Sequence, residues 1–536
     1  MRGCPVDGNA LSPLFMAPST AIPALPSLGL TEDEQRTANW LGARLFEQRP
    51  YLELRGLYYD GMQKMQDLGI SIPPSLVGLR TVVGWPQIGV DALDNRCVVE
   101  GFRFPNATDV DEDLQAIWQA NKLDSESRLT HLDALVYGRA YNIVGPGDDS
   151  TGGQPLITSE SPLNMIATFD ARMRRVSAAL QIYMDTDFTS DMYGQEVAAL
   201  YLPNVTVYMA RQSAAGNPAS VQWSIIERDD HNLGRVPVVR MANRQRLSRR
   251  DGLSEISAAW MNTTDSACRT MLGMEVGREF FSAPRRYALG VTEEAFQNAD
   301  GSAKTAWDTY LHKVWMLERD EDGNLPAVGE FAANDPSVHT KLMDEYAQIM
   351  AGNMGVPPHF LGIYTQGNPA SADAIRAGYE ELTNRALRKQ VGFADDWEET
   401  MCLALLIRDG EVRPDAYLLE ADWRDPAPQT IAGTSDAITK QIESGAVPAT
   451  SDVVLKRLGY SAVERARLAQ DRVVDEGESM LMQIAHSLEA KAMRVDKAIN
   501  ADASAVDAAP TLSSGATPTR NVMPKRTPVN VPASNG

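Results

Sequence analysis

Apolar residues recur along this chain with two periods, and the switch between them marks its organisation. The first helical stretch opens at Thr31, where Thr31-Glu32-Asp33-Glu34 has the form of a capping box and Trp40, Leu41, Leu45 and Phe46 follow at helical spacing. The pattern continues over 52–68 to Gly69, breaks at Pro73-Pro74, and resumes as a short helix over 76–83. Residues 111–122, with Leu114, Ile117 and Trp118 on one face, and 125–136 read as two more helices. Between 139 and 228 the texture becomes short β-branched and aromatic runs: 139–144, 155–158, 165–169, 176–183, 197–202, 205–210 and 223–228. Gly, Pro, Asn and Asp separate them, which predicts antiparallel strands.

The helical period returns at Gly252 and holds to Phe281. Leu253, Trp260, Ala267 and Met274 repeat every seven residues, and Ile256 heads a parallel row through Thr263 and Thr270. Such a helix is about 43 Å long at 1.5 Å per residue. Residues 282–334 form a mixed insert with strands predicted at 288–291 and 314–317. Asp335-Pro336 then has the N-cap and first-turn chemistry of a second helix, whose apolar face is Val338, Leu342, Tyr346 and Ile349. Gly355 and Pro357-Pro358 end it. A Gly-containing connector leads to Asn368-Pro369, the predicted start of a third helix of about 40 residues. Its face is Ile375, Tyr379, Leu382, Ala386, Phe393, Trp397, Met401 and Leu405. Residues 423–428 read as a linker, 435–444 and 451–458 as short helices stopped by Gly445 and Gly459, and 462–499 as a charged helix. Segregated helices and strands make this an α+β chain.

Composition narrows the function. The chain has 536 residues, with 50 Lys+Arg against 71 Asp+Glu, for a net charge of −21. Tight autonomous nucleic-acid binders are basic, because their affinity comes from neutralising phosphates. Within this acidic background Arg235, Arg240, Arg244, Arg246, Arg249 and Arg250 cluster just ahead of Gly252. Two readings stay open for them: phosphate contact, or pairing with acidic neighbours within or between subunits. The Pro-rich first 30 residues and the Ala/Ser/Thr/Pro-rich 501–536 have too little apolar surface to order, predicting a flexible arm and a disordered tail. No run of about 18 apolar residues exists, so no transmembrane helix is predicted. Four scattered cysteines without CxxC fit a reducing compartment. The six histidines lack HxxxH and HExxH spacing, and there is no Walker loop and no GxSxG. The acidic clusters at 111–113 and 229–231 read as a helix start and a solvated turn. No catalytic residue, metal site or cofactor is therefore expected.

Junction residues carry a resemblance. Asn243-Arg244 followed by Gly252-Leu253-Ser254-Glu255-Ile256 looks like the approach to the stem of tailed-bacteriophage portal proteins. Met354-Gly355-Val356-Pro357-Pro358-His359-Phe360-Leu361-Gly362, then Asn368-Pro369-Ala370-Ser371-Ala372-Asp373-Ala374-Ile375, resembles the segment after their second stem helix. Tyr137-Gly138-Arg139-Ala140-Tyr141 with the following strands and Phe169-Asp170 is similar to their wing, and 452–459 to their C-terminal part. The order and spacing together span about residues 35–475 and are closest to portals of long-tailed phages of GC-rich, actinobacterial hosts.

The resemblance implies a portal fold: a flexible arm (1–30), wing (31–251), first stem helix (252–281), clip (282–334), second stem helix (335–355), channel loop and long wing helix (356–409), crown (410–500) and tail (501–536). It implies a homo-oligomeric ring, usually of twelve subunits, at one capsid vertex of the virion, assembled in the host cytoplasm. Double-stranded DNA would pass through its channel, driven by a separate terminase. A head-completion or adaptor protein, the major capsid protein and scaffolding protein would be further partners, with no membrane involved. The channel loop would be Ile363, Tyr364, Thr365, Gln366, Gly367 and Asn368. Stem packing would use Leu253, Ile256, Trp260, Ala267, Met274, Val338, Leu342, Tyr346 and Ile349. Arg240, Arg244, Arg246, Arg249 and Arg250 would form a basic patch at the approach to the stem. Rival readings are another head-morphogenesis or minor capsid protein and, below it, a metal-dependent hydrolase.

Overall fold

A computed structural model describes residues 29–63, 81–105, 110–212, 222–281, 286–290, 327–330, 337–363, 372–427, 431–448, 451–460 and parts of 464–491. The chain divides into two compact units, residues 1–429 and 430–536.

In the first unit, α1 (Glu32–Tyr59) opens on the predicted capping box. The Thr31 hydroxyl accepts from Glu34 N–H at 3.3 Å, and the Glu34 carboxylate accepts from Thr31 N–H at 2.9 Å. Its Ala38, Leu41 and Leu45 pack on a sheet. That sheet is a five-stranded antiparallel meander in the order β4 (Met165–Asp170), β5 (Arg175–Met184), β6 (Glu196–Tyr201), β7 (Thr206–Gln212) and β8 (Gln222–Asp229). Arg228 on β8 returns to Glu34 at 2.8 Å and pins the start of α1 to the sheet edge. A second sheet has β2 (Arg139–Gly145) between β3 (Leu156–Glu160) and β9 (Val238–Ala242). A two-stranded pair joins β1 (Val99–Arg103) to β12 (Glu420–Trp423) with Val99 opposite Trp423.

The remaining helices enclose one large core. These are α2 (Trp85–Asp94), α3 (Glu112–Ala120), α4 (Leu123–Tyr137), α5 (Ala258–Phe281), α6 (Ser337–Met354) and α7 (Ala372–Asp409). Trp397 of α7 is fully buried and meets Trp118 edge-on at 5.2 Å. Its indole N–H donates to His131 Nε2 at 2.8 Å, while Phe393 stacks on the imidazole at 5.0 Å. Burial pushes His131 down to about 3, so the ring is neutral and its nitrogen is free to accept. The α7 residues Leu382, Ala386, Phe393, Trp397, Met401 and Leu405, predicted as one face, are all buried.

The structure departs from the sequence pattern at several points. The helix expected from Gly252 begins at Ala258, and 252–257 is non-helical, with a bend at Glu255–Ile256. α1 ends at Tyr59 rather than Leu68, and residues 64–80 lie outside the described residues. β1, β9, β12 and α2 had no sequence assignment, and β12 falls at the edge of the stretch read as a linker. In the insert, β10 (Arg286–Leu289) pairs antiparallel with β11 (Ala327–Glu330). The strand predicted at 314–317, the Asp335-Pro336 cap and the Asn368-Pro369 cap lie outside the described residues, as do 1–28 and 501–536.

The second unit contains α8 (Ile431–Glu443) and α9 (Asp452–Arg457), where Ile438, Val454 and Leu455 are buried and Arg465 pairs with Asp452 at 2.5 Å.

One half-buried carboxyl makes the first unit pH-sensitive. Glu160 ends β3, and burial, reinforced by Asp133, pushes it up to about 7. A carboxyl raised on folding binds its proton more tightly in the folded state, so its contribution is present at acid pH and lost as pH rises from about 4.5 to 7. Glu160→Gln should therefore leave stability unchanged at pH 4 and raise it by about 1–3 kcal/mol at pH 8. Urea denaturation of both proteins at the two pH values checks this; equal differences at both would contradict it.

Candidate functional site

The junction ahead of α5 is built by backbone constraints before any charge is placed. Gly252 has φ +83°, and a Cβ there would sit 2.1 Å from the Gly138 carbonyl; Gly138, at φ +97°, would drive one into Ser254 N. The two glycines let segment 252–257 lie directly against the α4–β2 corner. Leu253 N–H donates to Asn243 C=O at 2.7 Å, Asn243 N–H to Gly138 C=O at 2.9 Å, and Glu255 N–H to Leu135 C=O at 2.9 Å. The Ser254 hydroxyl donates to Val136 C=O. Glu255 is thereby carried to the interior with 0% exposure.

A buried carboxylate requires countercharge and donors. Lys389 Nζ reaches Glu255 Oε1 at 2.5 Å, Arg385 reaches Oε2 at 2.8 Å, and Arg244 stands 3.8 Å from Oε2. The Asn243 amide donates to Oε1 at 3.0 Å and its carbonyl oxygen accepts from Lys389 at 2.6 Å. Burial alone would raise the Glu255 carboxyl, but Lys389 and Arg385 outweigh it and hold the group below its ordinary value. Burial pulls Lys389 down in turn. Arg385 also donates to the Met354 and Asn353 carbonyls at the C-terminal end of α6. Gly355, at φ +68°, follows there, and a Cβ on it would press on Arg385 and Glu381. One carboxylate thus ties the approach to α5, the end of α6 and the middle of α7.

The predicted basic patch is not one surface. Arg240 lies on β9, whose five residues are all buried; it pairs with Asp251 at 3.1 Å and stacks over Phe169 at 4.0 Å. Arg244 faces Glu255. Arg246 and Arg249 are exposed on a tight turn, bridged through their backbones, and Arg250 is half-buried. Arg235, outside the turn, pairs with Glu399 of α7 at 2.6 Å.

The stem positions divide as well. On α5, Trp260 and Ala267 are buried and Met274 is half-buried; Ile256 is buried and Leu253 half-buried, both ahead of the helix. α5 and α6 pack together. On α6, however, the residues facing its own chain are Met343, Tyr346, Ala347, Met350, Ala351 and Met354. Val338 (62% exposed), Leu342 (39%) and Ile349 (47%) form a separate stripe turned to the outside. Of the predicted channel loop, only Ile363 is among the described residues; it packs against the core, and 364–368 lie outside them. The Glu255 network was missed from sequence, although Glu255 stands inside the quoted Gly252–Ile256 motif. The acidic run at 111–113 is a helix start, Asp111 capping α3 through Leu114 N–H at 3.1 Å.

A buried polar junction therefore joins the approach to α5, the end of α6 and the middle of α7. The chain belongs to the phage portal protein family of the SPP1 Gp6-like type, whose family model matches residues 39–454. It is 34% identical over 443 residues to the portal protein of Mycobacterium phage D29, covering 81% of this chain and 87% of that one. To the portal protein of Mycobacterium phage L5 it is 33% identical over 432 residues, covering 79% and 85%. Among solved structures, necks of an empty and a native GTA particle are similar at 14% identity, with TM-scores of 0.39 and 0.37, covering 72% and 73% of this chain and 93% and 94% of those chains. That likeness adds nothing to the family assignment. The portal resemblance drawn from the junction motifs is borne out, as is its actinobacterial-phage character. The reading as another head-morphogenesis protein falls, and membership of a structural family fits a chain without enzymatic activity.

Removing the carboxylate should strand two cations. Glu255→Ala should cost about 3–5 kcal/mol, whereas Glu255→Leu combined with Lys389→Met should regain part of that loss. Urea unfolding followed by tryptophan fluorescence measures both; losses under 1 kcal/mol for Glu255→Ala would contradict the role assigned to it.

Proposed function

We propose that this portal protein acts as a closed ring of identical subunits, twelve by analogy with the family, at one vertex of the capsid in the virion. The observation that supports this most directly is the exposed stripe Val338, Leu342 and Ile349 on α6. Among the described residues those side chains do not join the core, and a stem of side-by-side helices repeated around an axis would cover them with the neighbouring subunit. On this reading residues 31–251 are the wing, α5 and α6 the stem, 282–334 the clip, and the second unit part of the crown. Double-stranded DNA passes along the axis, moved by a separate terminase. The same ring later holds the head-completion or adaptor protein, and it meets major capsid and scaffolding proteins during assembly in the host cytoplasm. The protein itself catalyses nothing and takes no cofactor. Ile363–Asn368 forms the loop nearest the passing DNA, and its uncharged residues let the duplex slide.

Two experiments bear on this. Val338→Asp with Ile349→Asp should abolish ring assembly in electron micrographs and leave a folded monomer, because each interface would bury unpaired charge at a cost of roughly 2 kcal/mol or more per group. Rings forming normally from that variant would refute the stem interface. Deleting residues 363–368 should leave rings intact while blocking DNA packaging in complementation; normal packaging would remove the loop from the channel.

A further inference from the structure

α1 carries a second apolar surface that its own chain leaves uncovered. Opposite Ala38, Leu41 and Leu45, which face the sheet, Trp40, Phe46, Tyr51, Leu54 and Leu57 are 40–69% exposed. They extend over about 26 Å of helix. Exposed Arg44, Glu47 and Glu53 are interleaved with them, and large exposed apolar side chains gathered on one side of a helix mark an interaction site. Its C-terminal flank is cationic. Arg139 donates to the Gln48 side chain of α1 and, at 3.3 Å, to the Asp251 carbonyl, which sets it between α1 and the turn that carries Arg249; burial and the nearby Arg249 and Arg139 charges push the Arg55 guanidinium below its ordinary value. Among the described residues no carboxylate lies within ion-pair distance of any of the three. Glu53 is already engaged by Arg49 at 3.1 Å. Beside Arg246 and Arg249, Leu247 stands 89% exposed at the tip of its turn.

The hairpin joining β5 to β6 has the opposite character. Residues 185–194 contain Asp185, Asp187 and Asp191 and no basic residue. Phe188 is 82% and Tyr193 61% exposed. The tip is held in shape from within: Asp185 accepts from Asp187 N–H at 2.9 Å and from the Ser190 hydroxyl at 2.6 Å, and Asp187 accepts from Thr189 N–H at 2.9 Å. A preformed loop binds without a large ordering cost.

We propose that the α1 face with its Arg55–Arg139–Arg249 flank receives the 185–194 hairpin of a second copy of this chain. Phe188 and Tyr193 lie on the apolar stripe, and Asp187 and Asp191 meet the arginines. The inference rests on the ring reading and adds a contact outside the stem. Its charge pattern fixes the kind of contact. Two α1 flanks, or two hairpins, facing each other would set like charge against like, so a two-fold dimer through either surface is disfavoured. The complementary surfaces are different parts of one chain, and such a head-to-tail contact propagates from copy to copy and closes into a ring when the rotation allows.

Full-length protein carrying both Leu54→Cys and Phe188→Cys should, on mild oxidation, give a ladder of cross-linked oligomers on a denaturing gel. Neither single variant should give the ladder. In parallel, Arg55→Asp with Arg249→Asp, and separately Asp187→Arg with Asp191→Arg, should each raise the concentration needed for ring assembly by at least tenfold at low salt, measured by mass photometry. Combining the two sets should bring it back to within about threefold of wild type, a recovery that simple misfolding would not produce. Wild-type rings with no ladder, or with no recovery in the combined variant, would overturn the proposal while leaving the ring reading intact. Variants that assemble normally but fail to enter capsids would overturn it in favour of a capsid-protein partner on this face. Wild-type protein that forms no ring would sink the ring reading itself.

Discussion

A single buried anion governs how the parts of this chain meet. Glu255 cannot be left unpaired in an interior it reaches with no exposure, and its partners Lys389 and Arg385 lie 134 and 130 residues away on α7. Arg385 cannot serve Glu255 without also holding the α6 carbonyls at Asn353 and Met354. The approach to α5, the end of α6 and the middle of α7 are therefore fixed together or not at all. Buried ion pairs contribute little net stability, since desolvation offsets attraction, but they tolerate few alternative arrangements. Here the surplus of cations over one carboxylate makes the geometry more exclusive still, because no other buried acid stands in the same cluster to substitute for it.

What could be read from the sequence was what is local. The α1 capping box, the β4–β8 meander and the buried face of α7 follow from periods and turn residues close to one another in the chain. What could not be read depends on distant partners. Glu420-Ala421-Asp422-Trp423 has no strand signal and becomes one because β1 pairs with it from more than 300 residues away. Leu253 and Ile256 mimic helical spacing, yet their segment is non-helical because Gly252 turns at positive φ and Ser254 and Glu255 bond back to α4. The six arginines before α5 are neighbours in sequence only. Arg240 is drawn inward by a strand buried along its whole length, while Arg246 and Arg249 ride an exposed turn.

The same distinction holds for α6. α6 has two apolar faces, and the pattern of large residues pointed to Val338, Leu342 and Ile349. The face turned to its own chain is made mostly of Met and Ala, which carry weaker periodic signal: Met343, Ala347, Met350, Ala351 and Met354. A helix that is apolar on opposite sides has more than one partner. One partner is α5, visible in a single chain. The stripe of branched residues is turned the other way, and it gives the oligomeric reading its physical basis.

The two ends of the α5–α6 pair also differ in kind. Along their length α5 and α6 meet through flexible thioethers, with Met261, Met271, Met343, Met350 and Met354 in or against the core, and Met contacts re-pack at low cost. Near Glu255 the contact is polar and directional, and Gly89 lets Met354 and Trp260 close under it because a Cβ at that position would fall 2.8 Å from the Met354 sulfur. A displacement of the helices relative to each other would be absorbed along the methionine seam and resisted at Glu255. Motion of α5 and α6 should therefore grow with distance from that carboxylate, which puts the adaptable end where the β10–β11 insert lies and the fixed end where the long helix is anchored.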